Sequence, residues 1–109
     1  MTIGNQRVLV VDDEAPIRRY LRAALGAQGL TVYESASGEE ALQAVLSHRP
    51  DIIILDLGLP DIDGIEVTRR LREWSQTPII ILAVREAEND KIAALDAGAD
   101  DYPTKPFGT

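Results

Sequence analysis

The sequence predicts a doubly wound α/β domain built on a parallel five-stranded sheet. Two observations carry the prediction. Continuous apolar runs, Val8–Val11, Ile52–Leu55 and Pro78–Leu82, alternate with segments whose apolar residues recur at helical spacing, which is the pattern of βαβ units. The runs also lack polar alternation, as strands covered on both faces do. Acidic residues stand where these runs stop: Asp12-Asp13-Glu14 after the first and Asp56 after the second.

Each element has a local reason. Val8–Val11 is the first strand. Pro16 suits the first turn of the helix that follows, in which Ile17, Leu21, Ala24 and Leu25 form the inward stripe and Gly29 supplies a left-handed cap. Thr31–Glu34 gives a second, shorter strand. Ser37-Gly38-Glu39-Glu40 reads as a capping box in which Ser37 caps and Glu40 reaches back, and Ala41, Leu42, Val45 and Leu46 are the buried stripe of that helix. Asp51–Leu55 is the third strand. Pro60 and Gly64 frame a turn, and a helix then runs to about Trp74 with Ile65 and Leu71 inward. Pro78–Leu82 is the fourth strand, Glu88–Ala97 a helix ended by Gly98, and Asp100–Tyr102 a short fifth strand. The sequence stops at Thr109, where a doubly wound sheet wants one more helix. It therefore reads as a fragment, with one sheet face near strands one and five left bare.

Composition narrows the function. At 109 residues the chain has room for one domain and one core. An apolar fraction of 45% argues against disorder. Cysteine is absent, so no disulfide framework or thiol chemistry is available, in keeping with a reducing compartment. No run approaches the length of a membrane span and no leader pattern opens the chain, so the expected location is cytoplasmic. The net charge of −7, with Arg and Lys scattered among acidic residues, argues against direct DNA binding, which needs a basic face.

Open α/β sheets bind ligands beyond the carboxyl ends of their strands, where the strand order reverses. Asp12, Asp13 and Asp56 all stand at such ends. Crowded carboxylates repel unless a cation joins them, and hard oxygen ligands favour Mg²⁺. The plainer reading is that Asp12-Asp13-Glu14 caps the first helix, where acidic side chains favour the dipole; Asp56 on the neighbouring strand weighs against it. Lys105 offers a compact charge to Asp56 or to a phosphoryl oxygen, and the proline after it can hold a cis peptide bond that aims the lysine inward. A Lys-Pro pair alone is more often just a loop.

Taken together, Asp12-Asp13, Asp56, Pro60, Gly64, Ala97-Gly98-Ala99-Asp100-Asp101-Tyr102 and Lys105-Pro106-Phe107 resemble the receiver domain of two-component response regulators over almost the entire chain. Within that family the sequence is most similar to the OmpR-type transcriptional regulators with a C-terminal winged-helix domain. Asp56-Leu57-Gly58-Leu59-Pro60-Asp61, Arg72-Glu73-Trp74-Ser75 and Asp90-Lys91-Ile92-Ala93-Ala94-Leu95-Asp96 look especially like those that regulate potassium-transport (KDP) operons.

The resemblance implies a flavodoxin-like strand order, 2-1-3-4-5. It implies that Asp56 is the phosphoacceptor for a sensor histidine kinase or small phosphodonor. Asp13, Asp56 and the Gly58 carbonyl would bind Mg²⁺ directly, with Asp12 acting through water. Lys105 would pair with the phosphoryl group, and Leu57 and Val84 would contact it. Ala83 and Tyr102 fall at the switch positions, Tyr102 being the aromatic that changes rotamer. Lys91, Asp100 and Asp101 match charged positions of the helix 4–strand 5–helix 5 face used by the active homodimer. Their plainer reading is ordinary surface charge, with a strand-edge role for Asp100. DNA would be reached only through a missing domain, and the chain itself would be no enzyme.

The chain also departs from the family. Ala83 stands where a Ser or Thr hydroxyl normally binds a phosphoryl oxygen, a hydrogen bond to a charged group worth about 1.5–3 kcal/mol. Val84 replaces a usually small residue and narrows access to Asp56. Pro103 removes a backbone donor, which suits an edge. His48 reads as a helix C-terminal residue and Trp74 as packing. Two alternatives remain: a degenerate receiver acting by protein contacts, motivated by Ala83 and Val84, and a Mg²⁺-dependent phosphohydrolase. The second lacks an Asp two residues after the nucleophile, where Gly58 stands. A flavin or dinucleotide domain is least favoured, because no Gly-rich loop follows the first strand.

Overall fold

Among the described residues, four parallel strands alternate with four helices: β1 (Arg7–Val11), α1 (Ala15–Ala27), β2 (Thr31–Ser35), α2 (Gly38–His48), β3 (Ile52–Asp56), α3 (Gly64–Arg72), β4 (Ile79–Leu82) and α4 (Glu88–Asp96). The structure, a computed structural model, describes the backbone of residues 6–82 and 88–101 and the side chains of all of these except 88–91. Ala83, Val84, Tyr102, Pro103, Lys105, Pro106 and Phe107 lie outside the described residues, as does the side chain of Lys91.

The sheet order is β2-β1-β3-β4, all parallel, which is the flavodoxin-like order over these strands. Beyond β4, Asp101 forms a single parallel bridge to Ile80. The Asp100 N–H donates to the Ile79 carbonyl at 2.7 Å and the Ile81 N–H to the Asp101 carbonyl at 2.8 Å. Among the described residues the expected strand Asp100–Tyr102 is thus one bridge at the fifth position, with Tyr102 outside them. Two other boundaries move for chemical reasons. Asp51 stays out of β3 and instead accepts the Arg7 N–H on Oδ2 at 2.7 Å. Pro78, which has no N–H, precedes β4 and offers only its carbonyl, to the Ile53 N–H at 2.9 Å.

The strand period of two sorts side chains onto two faces. Leu9, Val11, Ile53, Leu55, Ile79 and Ile81 point to one face and are buried with Ala41 and Val45 of α2, Val67 and Leu71 of α3 and Ala94 of α4. Val10, Ile54, Ile80 and Leu82 point to the other, where Ile17, Leu21 and Leu25 of α1 pack. On this second face Ile54 and Ile80 are only half-buried.

Helix ends follow the sequence closely. Gly29 at φ 88° and Gly98 at φ 115° end α1 and α4. Their paired bonds, Leu30 N–H to Leu25 O at 3.3 Å and Ala99 N–H to Ala94 O at 3.0 Å, are those of the Schellman motif. At α2, Ser37 Oγ accepts the Glu40 N–H at 3.2 Å, while Glu40 Oε1 takes the N–H of Ala36, one residue before the cap, at 3.0 Å. The helix stripes were less exact. Leu46 is 58% exposed and Ala24 is exposed: on α2 the buried line runs through Gly38, Ala41 and Val45, and Leu46 lies about 100° beyond it. Trp74, expected to pack, is 48% exposed.

Candidate functional site

The site follows from strand register. Val11 pairs with Leu55 across the parallel β1–β3 ladder, so Asp12 and Asp56, one residue further on each chain, emerge side by side at the carboxyl end of the sheet. The chain leaves β1 towards β2 on one side and has β3 on the other, so this is the point where strand order reverses. Asp12 is 1% and Asp56 7% exposed, and Asp13 reaches in from the solvent side. One carboxylate oxygen from each of the three lies within 4.8 Å of the others.

Asp12 is held on three sides. Its N–H donates to the Ser35 carbonyl at 3.1 Å, its Oδ1 accepts the Glu14 N–H at 2.9 Å, and its carbonyl accepts Nη1 of Arg18 at 2.7 Å. Arg18 is itself braced by Glu34 at 3.2 Å, and Glu34 also takes Arg22 at 2.8 Å. The N-cap residue Glu14 makes no side-chain cap bond, and at this helix start it is the Asp12 carboxylate that takes the Glu14 N–H.

Asp56 is seated by a glycine. A Cβ on Gly64, the first residue of α3, would stand 2.5 Å from the Asp56 carbonyl oxygen and 2.9 Å from Leu57 Cα. Only glycine lets α3 begin so close to the β3 end. The Gly64 N–H donates to the Leu57 carbonyl at 2.9 Å, and Asp63 caps α3 through Oδ1, which accepts the N–H groups of Ile65 at 2.7 Å and Glu66 at 3.1 Å. Gly58 is exposed beside Asp56: a Cβ built on it would lie 3.9 Å from Asp56 Oδ2. Leu57 is half-buried.

The donor set is entirely oxygen, gathered at one point and partly desolvated. Such a cluster fits a hard divalent cation and suits neither a thiolate-loving nor an imidazole-loving metal. The remaining expected contributors, Ala83, Val84, Tyr102 and Lys105, lie outside the described residues.

Of the other expected positions, Asp101 is exposed on the β4 edge and Lys91 lies in α4. Asp100 has an intramolecular, strand-edge role: its Oδ2 accepts the Ile79 N–H at 2.7 Å and Nη2 of Arg72 at 3.1 Å. Arg72 also donates to the carbonyls of Gly98 at 3.0 Å, Ser75 at 3.2 Å and Thr77 at 2.8 Å. This clasp and the contacts of Asp61 were not read from the sequence, because each joins segments more than twenty residues apart. Asp61, in the β3–α3 loop, accepts the N–H of Gly38 on Oδ1 at 2.8 Å and that of Glu39 on Oδ2 at 2.9 Å.

The fold and site thus define a flavodoxin-like domain with an acidic cluster, built around a strand-end aspartate, at the switch point of its sheet. Residues 8–109 match the response regulator receiver domain family, and the chain belongs to it. It is 57% identical over 101 residues to the KDP operon transcriptional regulatory protein KdpE of Escherichia coli, covering 93% of this chain and 45% of that protein. It is 54% identical, over the same shares, to the transcriptional regulatory protein KdpE of Mycobacterium tuberculosis. The chain therefore spans about half the length of these curated relatives. Among solved structures, a two-component response regulator from Clostridium difficile superimposes with a TM-score of 0.93 at 26% identity, covering 95% of this chain and 86% of that one.

Proposed function

We propose that this domain accepts a phosphoryl group on Asp56 from the phosphohistidine of a sensor kinase, with Mg²⁺, and thereby controls transcription through a DNA-binding domain. The observation that carries the reading is the convergence of Asp12, Asp13 and Asp56 within 4.8 Å at the ends of two adjacent strands. In the transfer, a carboxylate oxygen of Asp56 forms the new O–P bond as the N–P bond to the donor imidazole breaks, and the imidazole keeps the bonding electron pair. Asp13, Asp56 and the Gly58 carbonyl would hold the cation, with Asp12 acting through water. The bound ion would neutralise charge on the transferred group. The protein's task is positioning: Gly64 and β3 fix the Asp56 backbone, and the Ser35, Glu14 and Arg18 contacts fix Asp12.

Similarity to the two KdpE proteins supports a role in potassium-transport transcription, in the cytoplasm, with dimerisation through the face that carries Lys91 and Asp101. No helix among the described residues is long and apolar enough to cross a membrane, which is compatible with that setting. Intact-mass spectrometry after incubation with Mg²⁺ and acetyl phosphate tests the core of the reading. One added phosphoryl group, absent in Asp56→Asn and absent with EDTA, is the expected result; an unmodified wild-type protein overturns it.

A further inference from the structure

We infer that Asp61 is a positioning residue for the phospho-acceptor site, fixing the loop after Asp56 by binding it to the N-terminus of α2. The inference rests on reading Asp56 as the phospho-acceptor and Gly58 as a carbonyl ligand. Residues 57–63 connect β3 to α3 and carry Gly58 beside the Asp56 carboxylate. One end of the loop is continuous with β3. The other is held where the Gly64 N–H meets the Leu57 carbonyl at 2.9 Å. Asp61 lies in the span between these anchors.

Its two carboxylate oxygens are used separately: Oδ1 takes the Gly38 N–H at 2.8 Å and Oδ2 the Glu39 N–H at 2.9 Å. These are the first two N–H groups of α2, which have no acceptor within the helix and sit at its positive end. The contact is close as well as polar. A Cβ on buried Gly38 would stand 3.0 Å from Ile62 Cβ and 3.0 Å from Val67 Cγ2, so the helix start is pressed onto the loop and onto α3. The same two N–H groups hold the Asp61 carboxyl below its ordinary range, Glu39 more than Gly38.

Capping alone does not require this arrangement. α2 already has a local cap in Ser37, whose Oγ accepts the Glu40 N–H at 3.2 Å, and Glu40 returns a bond to the Ala36 N–H at 3.0 Å. The second cap comes from 22 and 23 residues away. What it adds is an anchor for the loop. Helix α2 is rigidly docked through Ala41 and Val45, so a loop bound to it holds its main-chain carbonyls where the acidic cluster needs them, as outer contacts do for metal ligands.

Two caps on one helix permit a controlled test. Asp61→Ala, Asp61→Asn and Ser37→Ala are compared in the whole domain by NMR. In metal-free protein, exchange of the Leu59 and Gly64 amides should accelerate in Asp61→Ala, less in Asp61→Asn, and remain at the wild-type rate in Ser37→Ala. On Mg²⁺ titration, Asp61→Ala should weaken binding by about tenfold, with Ser37→Ala unchanged. Equal effects of the Ala variants on both readouts, or wild-type behaviour of Asp61→Ala, would reduce Asp61 to a helix cap and overturn the inference. A wild-type domain that binds no Mg²⁺ defeats the phospho-acceptor reading instead, while the metal-free exchange still decides whether Asp61 fixes the loop.

Discussion

Arg72 in the last turn of α3 and Asp100 beyond α4, 28 residues apart, meet at 3.1 Å and close the amino-terminal end of the sheet. The Arg72 side chain is 18% exposed, and its remaining donors go to the carbonyls of Gly98, Ser75 and Thr77. One guanidinium thus ties α3, the approach to β4 and the end of α4, at the opposite pole from the carboxylate cluster.

Arg72→Ala should therefore cost stability and spare the site. Hydrogen bonds from a charged group are worth about 1.5–3 kcal/mol each before sharing and solvent exposure are counted, and a net loss of about 2–3 kcal/mol is expected. Urea unfolding measures this, and the Mg²⁺ affinity should stay at the wild-type value. Gly98→Ala should also destabilise, because φ is +115° and the new Cβ would lie 2.7 Å from Arg72 Cγ. In the Arg72→Ala background that cost should shrink, which a double-mutant cycle reads directly.

Asp13→Asn should act in opposite directions with and without metal. Three carboxylates within 4.8 Å repel, and removing one exposed charge should stabilise the metal-free domain by about 1 kcal/mol, well under the Coulomb value for a pair at that distance and an effective dielectric of about 20. The same change removes a proposed ligand, so the Mg²⁺-induced rise in melting temperature should largely disappear. Thermal melts in EDTA and in excess Mg²⁺ separate the two. A variant less stable than wild type in EDTA would show that the cluster is not strained by its own charge.

The acid limb of stability should depend on Asp61. Its folded pKa is lowered by the Glu39 and Gly38 N–H groups, below an unfolded value of about 3.9. A depressed carboxylate contributes stability fully above the unfolded value and loses it as pH falls through the folded one. Asp61→Asn should therefore be less stable than wild type at about pH 6, with the gap closing below about pH 4. Urea midpoints across that range provide the check, and a gap that widens towards acid would contradict the assignment.

The absent hydroxyl at Ala83 should limit coupling more than chemistry. Mg²⁺ binding by the wild type should be ordinary, while beryllofluoride should produce a weak activation shift by NMR. Ala83→Ser should strengthen that shift, in line with one regained hydrogen bond to a charged group, about 1.5–3 kcal/mol. A full shift in the wild type would make Ala83 a neutral replacement.

Much of this was legible because it is local or periodic. Asp12 and Asp56 could be placed together because strands of known period end at them, and parallel pairing then sets them side by side. Gly29 and Gly98 signalled helix ends because left-handed backbone favours glycine. Leu46 misled because apolarity at one step beyond Val45 mimics a continuing stripe. Arg72, Asp61 and the seat of Gly64 depend on where side chains and turns meet across the fold, and residue spacing carries no trace of such meetings. The expected strand Asp100–Tyr102 falls at the fifth position, where Asp101 bridges Ile80, and its far end at Tyr102 lies outside the described residues.

The missing Cβ of Gly64 has a mechanical consequence. With α3 resting directly on the carbonyl of Asp56, the main chain beneath the acceptor has a stop behind it and a strand beneath it. A load placed on the Asp56 side chain would therefore meet a backbone that cannot recede towards α3. On the proposed reading the seat would act as an anvil, with a phosphoryl group on Asp56 pushing outward and not down onto α3.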